Sequence, residues 1–161
     1  MSTLWVVCDV SGSMRENAKC HIARTLVYQI WQLKMLGYLS NYDMKLVLWS
    51  DDSRVIRETT GEEVPVELLD CKGSARAEPL LELIGTDDRD RYVLLSDGYW
   101  PDTTRQALGT WCERMPSSAV RAIRVGADAN PEFAGPGVFE AEDFFGAIDD
   151  WWGNDFALRV V

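Results

Sequence analysis

Asp9, Ser11 and Ser13 stand at alternate positions directly after the apolar run Leu4-Trp5-Val6-Val7-Cys8. A carboxylate and two hydroxyls at i, i+2 and i+4 in a tight turn can converge on one point. An oxygen-only set of this kind suits a hard cation, Mg²⁺ or Mn²⁺. The apolar run reads as a strand buried on both faces and ending at the acid. In an open α/β sheet that edge is where ligands bind. The same residues have plainer uses: Ser13 can cap a following helix, and Asp9 can accept backbone N–H bonds within the turn.

Two distant segments share the character of the first. Arg91-Tyr92-Val93-Leu94-Leu95-Ser96-Asp97-Gly98 is again an apolar run ending in an acid, as a second buried strand would end at the same sheet edge. Between them, Cys71-Lys72-Gly73-Ser74-Ala75-Arg76-Ala77-Glu78-Pro79 places a Gly-Ser turn before a short helix and offers another hydroxyl.

With these three segments the chain resembles a von Willebrand factor A domain. In that family a D-x-S-x-S run, a distant Thr and a distant Asp form a metal-ion-dependent adhesion site. The resemblance maps Asp9, Ser11 and Ser13 onto the first motif, Ser74 onto the Thr and Asp97 onto the last Asp. Ser74 departs from the pattern. It keeps the oxygen ligand but lacks the methyl group that stiffens χ1. Residues 119–130, with their Gly126-Ala127-Asp128 turn, look like the family's late strand, and 135–139, followed by the acidic stretch from Glu140, like its last short strand and closing helix.

The resemblance implies a site that binds Mg²⁺ (or Mn²⁺) and leaves a coordination position for a Glu or Asp of a partner protein. In style the chain is closest to bacterial intracellular, stand-alone members of the tellurite-resistance-associated type. Partners of the kind implied are an AAA+ ATPase or a kinase–phosphatase pair, in a stress or defence complex, and the implied home is cytoplasmic. Tyr99 and Trp100 follow Asp97-Gly98 directly and, with Arg76, are the candidate partner-binding residues. Arg15 also lies near the motifs, where it can pair with an acid.

Catalysis is the competing reading, as a metal-dependent phosphate-handling enzyme on the same scaffold. A haloacid-dehalogenase-like phosphatase needs an Asp two residues after the first, where this chain has Ser11. No Gly-Lys-Ser/Thr phosphate loop is present. No His or Lys lies within the motifs to serve as a general base, and the chain's one histidine, His21, reads as a solvated or partly packed helix residue. No catalytic residue is assigned.

The formal net charge of −10 opposes nucleic-acid binding, which needs clustered Lys and Arg, and opposes an anionic membrane surface. No signal peptide or spanning segment is visible. The four cysteines lack C-x-x-C spacing and read as reduced thiols, Cys8 as a small buried hydrophobe.

These motifs need a sheet to position them. Strands are expected over 3–9, 44–49, 53–58, 92–96 and 119–125, with a short one near 138. Asp51 and Asp52 read as the turn of a hairpin between the second and third strands. Helices are expected over 14–36, 79–84, 104–114 and 142–152. Ala18, Ile22, Leu26, Ile30 and Leu33 give the first its helical spacing, and Gly37 its stop. Strands alternating with helices indicate a doubly wound α/β fold: a mostly parallel central sheet, one antiparallel edge strand and helices on both faces. The chain reads as a single domain, 1–161, with its core over about 3–152 and a tail of unassigned role over 153–161.

Overall fold

The computed structural model describes residues 1–56 and 65–152. Strand β1 (Ser2–Asp9) sends alternate side chains into two separate cores. Leu4, Val6 and Cys8 enter one, and Trp5 and Val7 the other. A strand buried on both faces needs cover on both. Helices α1 (Lys19–Met35) and α4 (Phe144–Ile148) cover the first face. Helices α2 (Ala77–Ile84) and α3 (Asp102–Arg114) cover the second.

The remaining strands are β2 (Tyr42–Trp49), β3 (Ser53–Ile56), β4 (Arg91–Ser96), β5 (Val120–Arg124) and β6 (Val138–Glu140). They form one six-stranded sheet in the order β3-β2-β1-β4-β5-β6. Every neighbouring pair is parallel except β2 and β3, joined through Asp51 and Asp52 with Trp49 opposite Ser53. This is the expected doubly wound fold. From β1 the chain crosses to β2 on one side, and it later returns to β4 on the other. The strand order therefore reverses between β1 and β4, which puts the ligand crevice of such sheets at Asp9 and Asp97.

The first helix differs from expectation. It starts at Lys19, not Met14, because Gly12–Ala18 is a kinked 3-10 segment. Glu16 is extended there, and Asn17 and Ala18 are left-handed with φ of 52° and 60°. Left-handed non-glycine residues cost about 1–2 kcal/mol each, so the kink needs an anchor, which the site supplies. Ser13 lies inside the 3-10 segment, and no side chain caps α1. Gly37 does end the helix, with φ of 92° and its N–H bonded to the Lys34 carbonyl.

The closing helix is shorter than expected. Short 3-10 turns over Ala141–Asp143 and Asp149–Trp151 flank α4. Phe144, Ile148 and Trp151 are buried, whereas Phe145 faces outward. The expected end of the third strand at 57–58 and the tail over 153–161 lie outside the described residues. All four cysteines are free thiols, with Cys8, Cys20 and Cys71 buried. Among the described residues no helix is long and apolar enough to cross a membrane.

Candidate metal centre

Asp9 ends β1 and is 1% exposed. Its Oδ1 accepts the Ser11 N–H at 2.8 Å, and its Oδ2 accepts the Ser96 hydroxyl at 2.6 Å. Burial pushes its carboxyl pKa up, hydrogen bonds from Ser11 and Ser96 hold it back, and the nearby Asp97 charge adds to the rise. Ser96 itself accepts from the Gly98 N–H at 3.0 Å and the Trp100 indole N–H at 2.8 Å. The Trp100 ring packs on Trp49 and Phe133, with centroids 5.4 and 4.8 Å away. Trp100 is thus a partly buried support behind Asp9, tied into the second core.

Ser11 and Ser13 follow Asp9, and the hydroxyl oxygens of both are buried with no hydrogen-bond partner. An unpaired buried polar group costs about 1–3 kcal/mol, and Ser11 and Ser13 leave two such hydroxyls in the turn that follows the buried Asp9 carboxylate. Their loop is tied to the Ser74 loop by backbone bonds from Gly12 N–H to the Gly73 carbonyl (2.9 Å) and from Lys72 N–H to the Val10 carbonyl (2.8 Å). Ser74 is exposed, and its N–H donates to Asp51 Oδ1 at 3.2 Å. Asp51 is therefore more than a hairpin turn. Its carboxylate lies where a Cβ on Gly73 (φ +78°) would be, so that position must stay glycine.

Asp97, just past β4, is fully buried. Its Oδ1 accepts the Tyr99 N–H at 3.2 Å, and its Oδ2 accepts the Lys19 ammonium at 2.9 Å. Lys19 is equally buried, and its ammonium also donates to Asp128 Oδ2 at 3.1 Å. Burial alone would lower its pKa, yet the hydrogen bonds and charges of Asp97 and Asp128 outweigh it and hold the pKa above that of an ordinary lysine. Asp128 is pulled below the usual aspartate range by hydrogen bonds from Asn17 and Lys19. The motifs do hold a lysine in space although none lies within them in sequence. Its ammonium is engaged by both carboxylates.

The flanking candidates divide. Tyr99 is 47% exposed, and its hydroxyl donates to the Asp128 carbonyl at 2.9 Å. Arg76 is exposed and reaches Glu78 at 3.4 Å. Arg15 turns away from the carboxylates and donates to the Cys71 carbonyl at 2.8 Å. His21 is exposed on α1.

Among the described residues, no three His, Cys, Asp or Glu side chains are grouped to hold a metal. Asp9, Ser11, Ser13, Ser74 and Asp97 supply only oxygen, at the ends of adjacent strands and in a loop bonded to them, and Ser11 and Ser13 carry unused lone pairs. That donor set fits Mg²⁺ or Mn²⁺.

No protein-family profile and no curated protein matches the sequence. Solved structures do match the fold. A von Willebrand factor type A protein from Catenulispora acidiphila superposes with a TM-score of 0.54 at 17% identity, over 93% of this chain and 42% of that one. The fold is that of a von Willebrand factor A domain. The pilus adhesin SpaC from Lactobacillus rhamnosus GG shares the A-domain fold, with a TM-score of 0.58 at 12% identity over 92% of this chain and 29% of that one. So does proximal thread matrix protein 1 from the mussel byssus, at 0.55 and 12% over 94% and 47% respectively. The mussel protein is also known with a zinc-occupied MIDAS motif; that structure superposes at 0.50 and 11% identity over 93% and 46%. This chain spans less than half the length of each of these proteins.

Proposed function

We propose that this chain is a divalent-cation-dependent protein-interaction module. Asp9, Ser11 and Ser13 hold Mg²⁺ or Mn²⁺ together with Ser74 and Asp97, and a Glu or Asp of a partner protein completes the shell. The bound ion supplies an electrophilic centre for that carboxylate. Asp9 is held in one rotamer by Ser11 and Ser96, so it brings its charge without reorganising. The observation that carries the reading is the pair of orphaned hydroxyls, Ser11 and Ser13, beside a buried carboxylate at the reversal of strand order. A mussel protein of the same fold with zinc at a MIDAS motif supports a divalent ion in such a place. A bacterial intracellular stress or defence complex, in the cytoplasm, is the setting we propose for the partner.

Hydrolysis is the weaker alternative. Lys19 is the basic group nearest the carboxylates, and it is spent on Asp97 and Asp128. The apolar groove of about 430 Å³ beneath Trp100 and Phe133 is lined by none of the candidate oxygen donors. Titration calorimetry with Mn²⁺ and Mg²⁺ tests the metal site: the parent should bind one ion, and Asp9→Ala none. Equal heats from both proteins would remove the assignment. Affinity capture with Mn²⁺ and with EDTA tests the docking role, and retention of the same proteins under both conditions would count against it.

A further inference from the structure

Lys19 breaks three local rules at once. It is the first residue of α1, where a cation opposes the helix dipole, and the first turn of α1 holds no acid to offset it. It is fully buried, where lysines are rare unless paired. It is reached through two left-handed non-glycine residues, Asn17 and Ala18. The surroundings are built to receive it. Asp97 and Asp128 grip the ammonium at 2.9 and 3.1 Å. The Tyr99 ring lies over it, with its centroid 5.6 Å from Nζ. Gly126 (φ +95°) leaves room for the stem, since a Cβ there would come within 2.6 Å of Lys19 Cγ. Violations of local preference that are compensated this fully mark a residue kept for its effect on a site.

Resting on the metal-site reading above, we infer that Lys19 is a built-in counter-cation. It occupies one Asp97 oxygen and, shared with Asp128, offsets part of that carboxylate's charge, which lowers the site's affinity for a divalent ion and leaves the bound ion short of negative charge. The consequence is specificity for an anionic sixth ligand, because a partner carboxylate supplies the charge that Asp97 does not. The effect is electrostatic. At an effective dielectric of about 20, one unit charge within a site changes divalent binding by about tenfold or more.

The sign of the effect separates a counter-cation from a merely structural lysine. If Lys19 only held Asp97 in place, neutral replacements would loosen the site and weaken metal binding. As a counter-cation, its removal tightens binding. Calorimetry with Mn²⁺ alone on the full chain should show Lys19→Met and Lys19→Gln binding at least tenfold more tightly than the parent. Lys19→Arg, which keeps the charge, should stay within about threefold of the parent. Lys19→Gln can still donate to Asp97 and carries the test if the apolar variant fails to fold, which a thermal melt of each protein reports. Weaker or unchanged Mn²⁺ binding in a folded neutral variant overturns the role of Lys19 and leaves the metal site standing. Absence of Mn²⁺ binding in the parent and in every folded variant overturns both. Binding seen only in the neutral variants would overturn the metal-site reading of the parent, and with it the role of Lys19 in selecting an anionic sixth ligand.

Discussion

Ser96 Oγ donates its one proton to Asp9 Oδ2 across 2.6 Å, and the Trp100 indole N–H donates to the same Ser96 oxygen from 2.8 Å. With the Gly98 N–H at 3.0 Å as a second donor, the hydroxyl's bonding capacity is filled. Trp100 and Gly98 therefore leave Ser96 only one way to direct its proton. A tryptophan wedged between Trp49 and Phe133 sets the orientation of the acid at the crevice.

Trp100→Phe keeps most of the ring and removes the N–H. Stability should fall by about 1 kcal/mol, the worth of one neutral hydrogen bond. Mn²⁺ affinity should fall a few-fold, because Ser96 is then free to turn away from Asp9. Ser96→Ala should cost more, about 1.5–3 kcal/mol, since a buried carboxylate loses a donor. Melting curves and calorimetry on the two variants measure both effects. Metal affinity unchanged in Trp100→Phe would mean that Asp9 needs no such relay.

Ser11→Ala and Ser13→Ala remove hydroxyls that have no hydrogen-bond partner within the protein. Each should leave the EDTA-treated protein as stable as the parent or more stable, by up to about 1 kcal/mol. The rise in melting temperature on adding Mn²⁺ should shrink or vanish in both. Serine-to-alanine changes in a core normally destabilise, so this combination separates ligands from structural hydroxyls. A large loss of stability in EDTA would show that the hydroxyls are structural after all.

The fold was readable because apolar runs ending in acids say where strands stop. Leu4–Cys8 before Asp9 and Tyr92–Leu95 before Ser96-Asp97 put both acids at one sheet edge, and the strand order makes β1 and β4 neighbours. Lys19 was not readable. On a helical pattern it is one more polar residue among Arg15, Glu16 and Asn17, and only the left-handed step at Asn17 and Ala18 turns it inward. Trp100 gave no sequence signal of its role, because an aromatic after Asp-Gly reads equally as rim or as packing. Asp51 was hidden for a similar reason, its turn position being sufficient to explain an aspartate.

Alkaline pH should weaken the fold through a buried hydroxyl and a buried thiol. Burial pushes the Tyr92 hydroxyl from its ordinary 10.0 up to about 12. It pushes the Cys71 thiol from 9.0 up to about 12. The folded state then holds protons that the unfolded chain releases, so stability falls as pH rises through the unfolded values toward the folded ones. Urea midpoints should be level up to about pH 8 and drop between about pH 9 and 12. Tyr92→Phe should remove its part of that slope, and an unchanged slope would assign it to other groups.

Removing metal should leave the fold intact. The two cores on either face of the sheet hold residues such as Ile30, Leu95, Leu80 and Trp111, none of which depends on an ion. Burial at about 25 cal/mol per Å² outweighs the repulsion of the acids, which Lys19 already relieves. EDTA-treated protein should unfold in one cooperative transition. Saturating Mn²⁺ should add stability only by mass action, about 2.7 kcal/mol at a hundred times Kd. Loss of the cooperative transition in EDTA would make the ion structural.

Of the two aromatics proposed to meet a partner, Tyr99 is the exposed one. Its ring is 47% exposed at the mouth of the crevice, whereas Trp100 is drawn into the second core. The hydroxyl of Tyr99 ties the β4 loop to Asp128, so the residue has a structural and a surface role that two variants separate. Tyr99→Phe keeps the ring beside Lys19 and removes the tie. It should cost about 1 kcal/mol of stability or less and leave Mn²⁺-dependent partner capture unchanged. Tyr99→Ala removes the exposed ring. Capture should fall by about thirtyfold, as for an interface aromatic worth 2 kcal/mol, with Mn²⁺ affinity within about threefold of the parent. A fall in capture matched by an equal fall in Mn²⁺ affinity would place Tyr99 with the support of Asp97, through its N–H to Oδ1, and the partner's contact elsewhere on the rim.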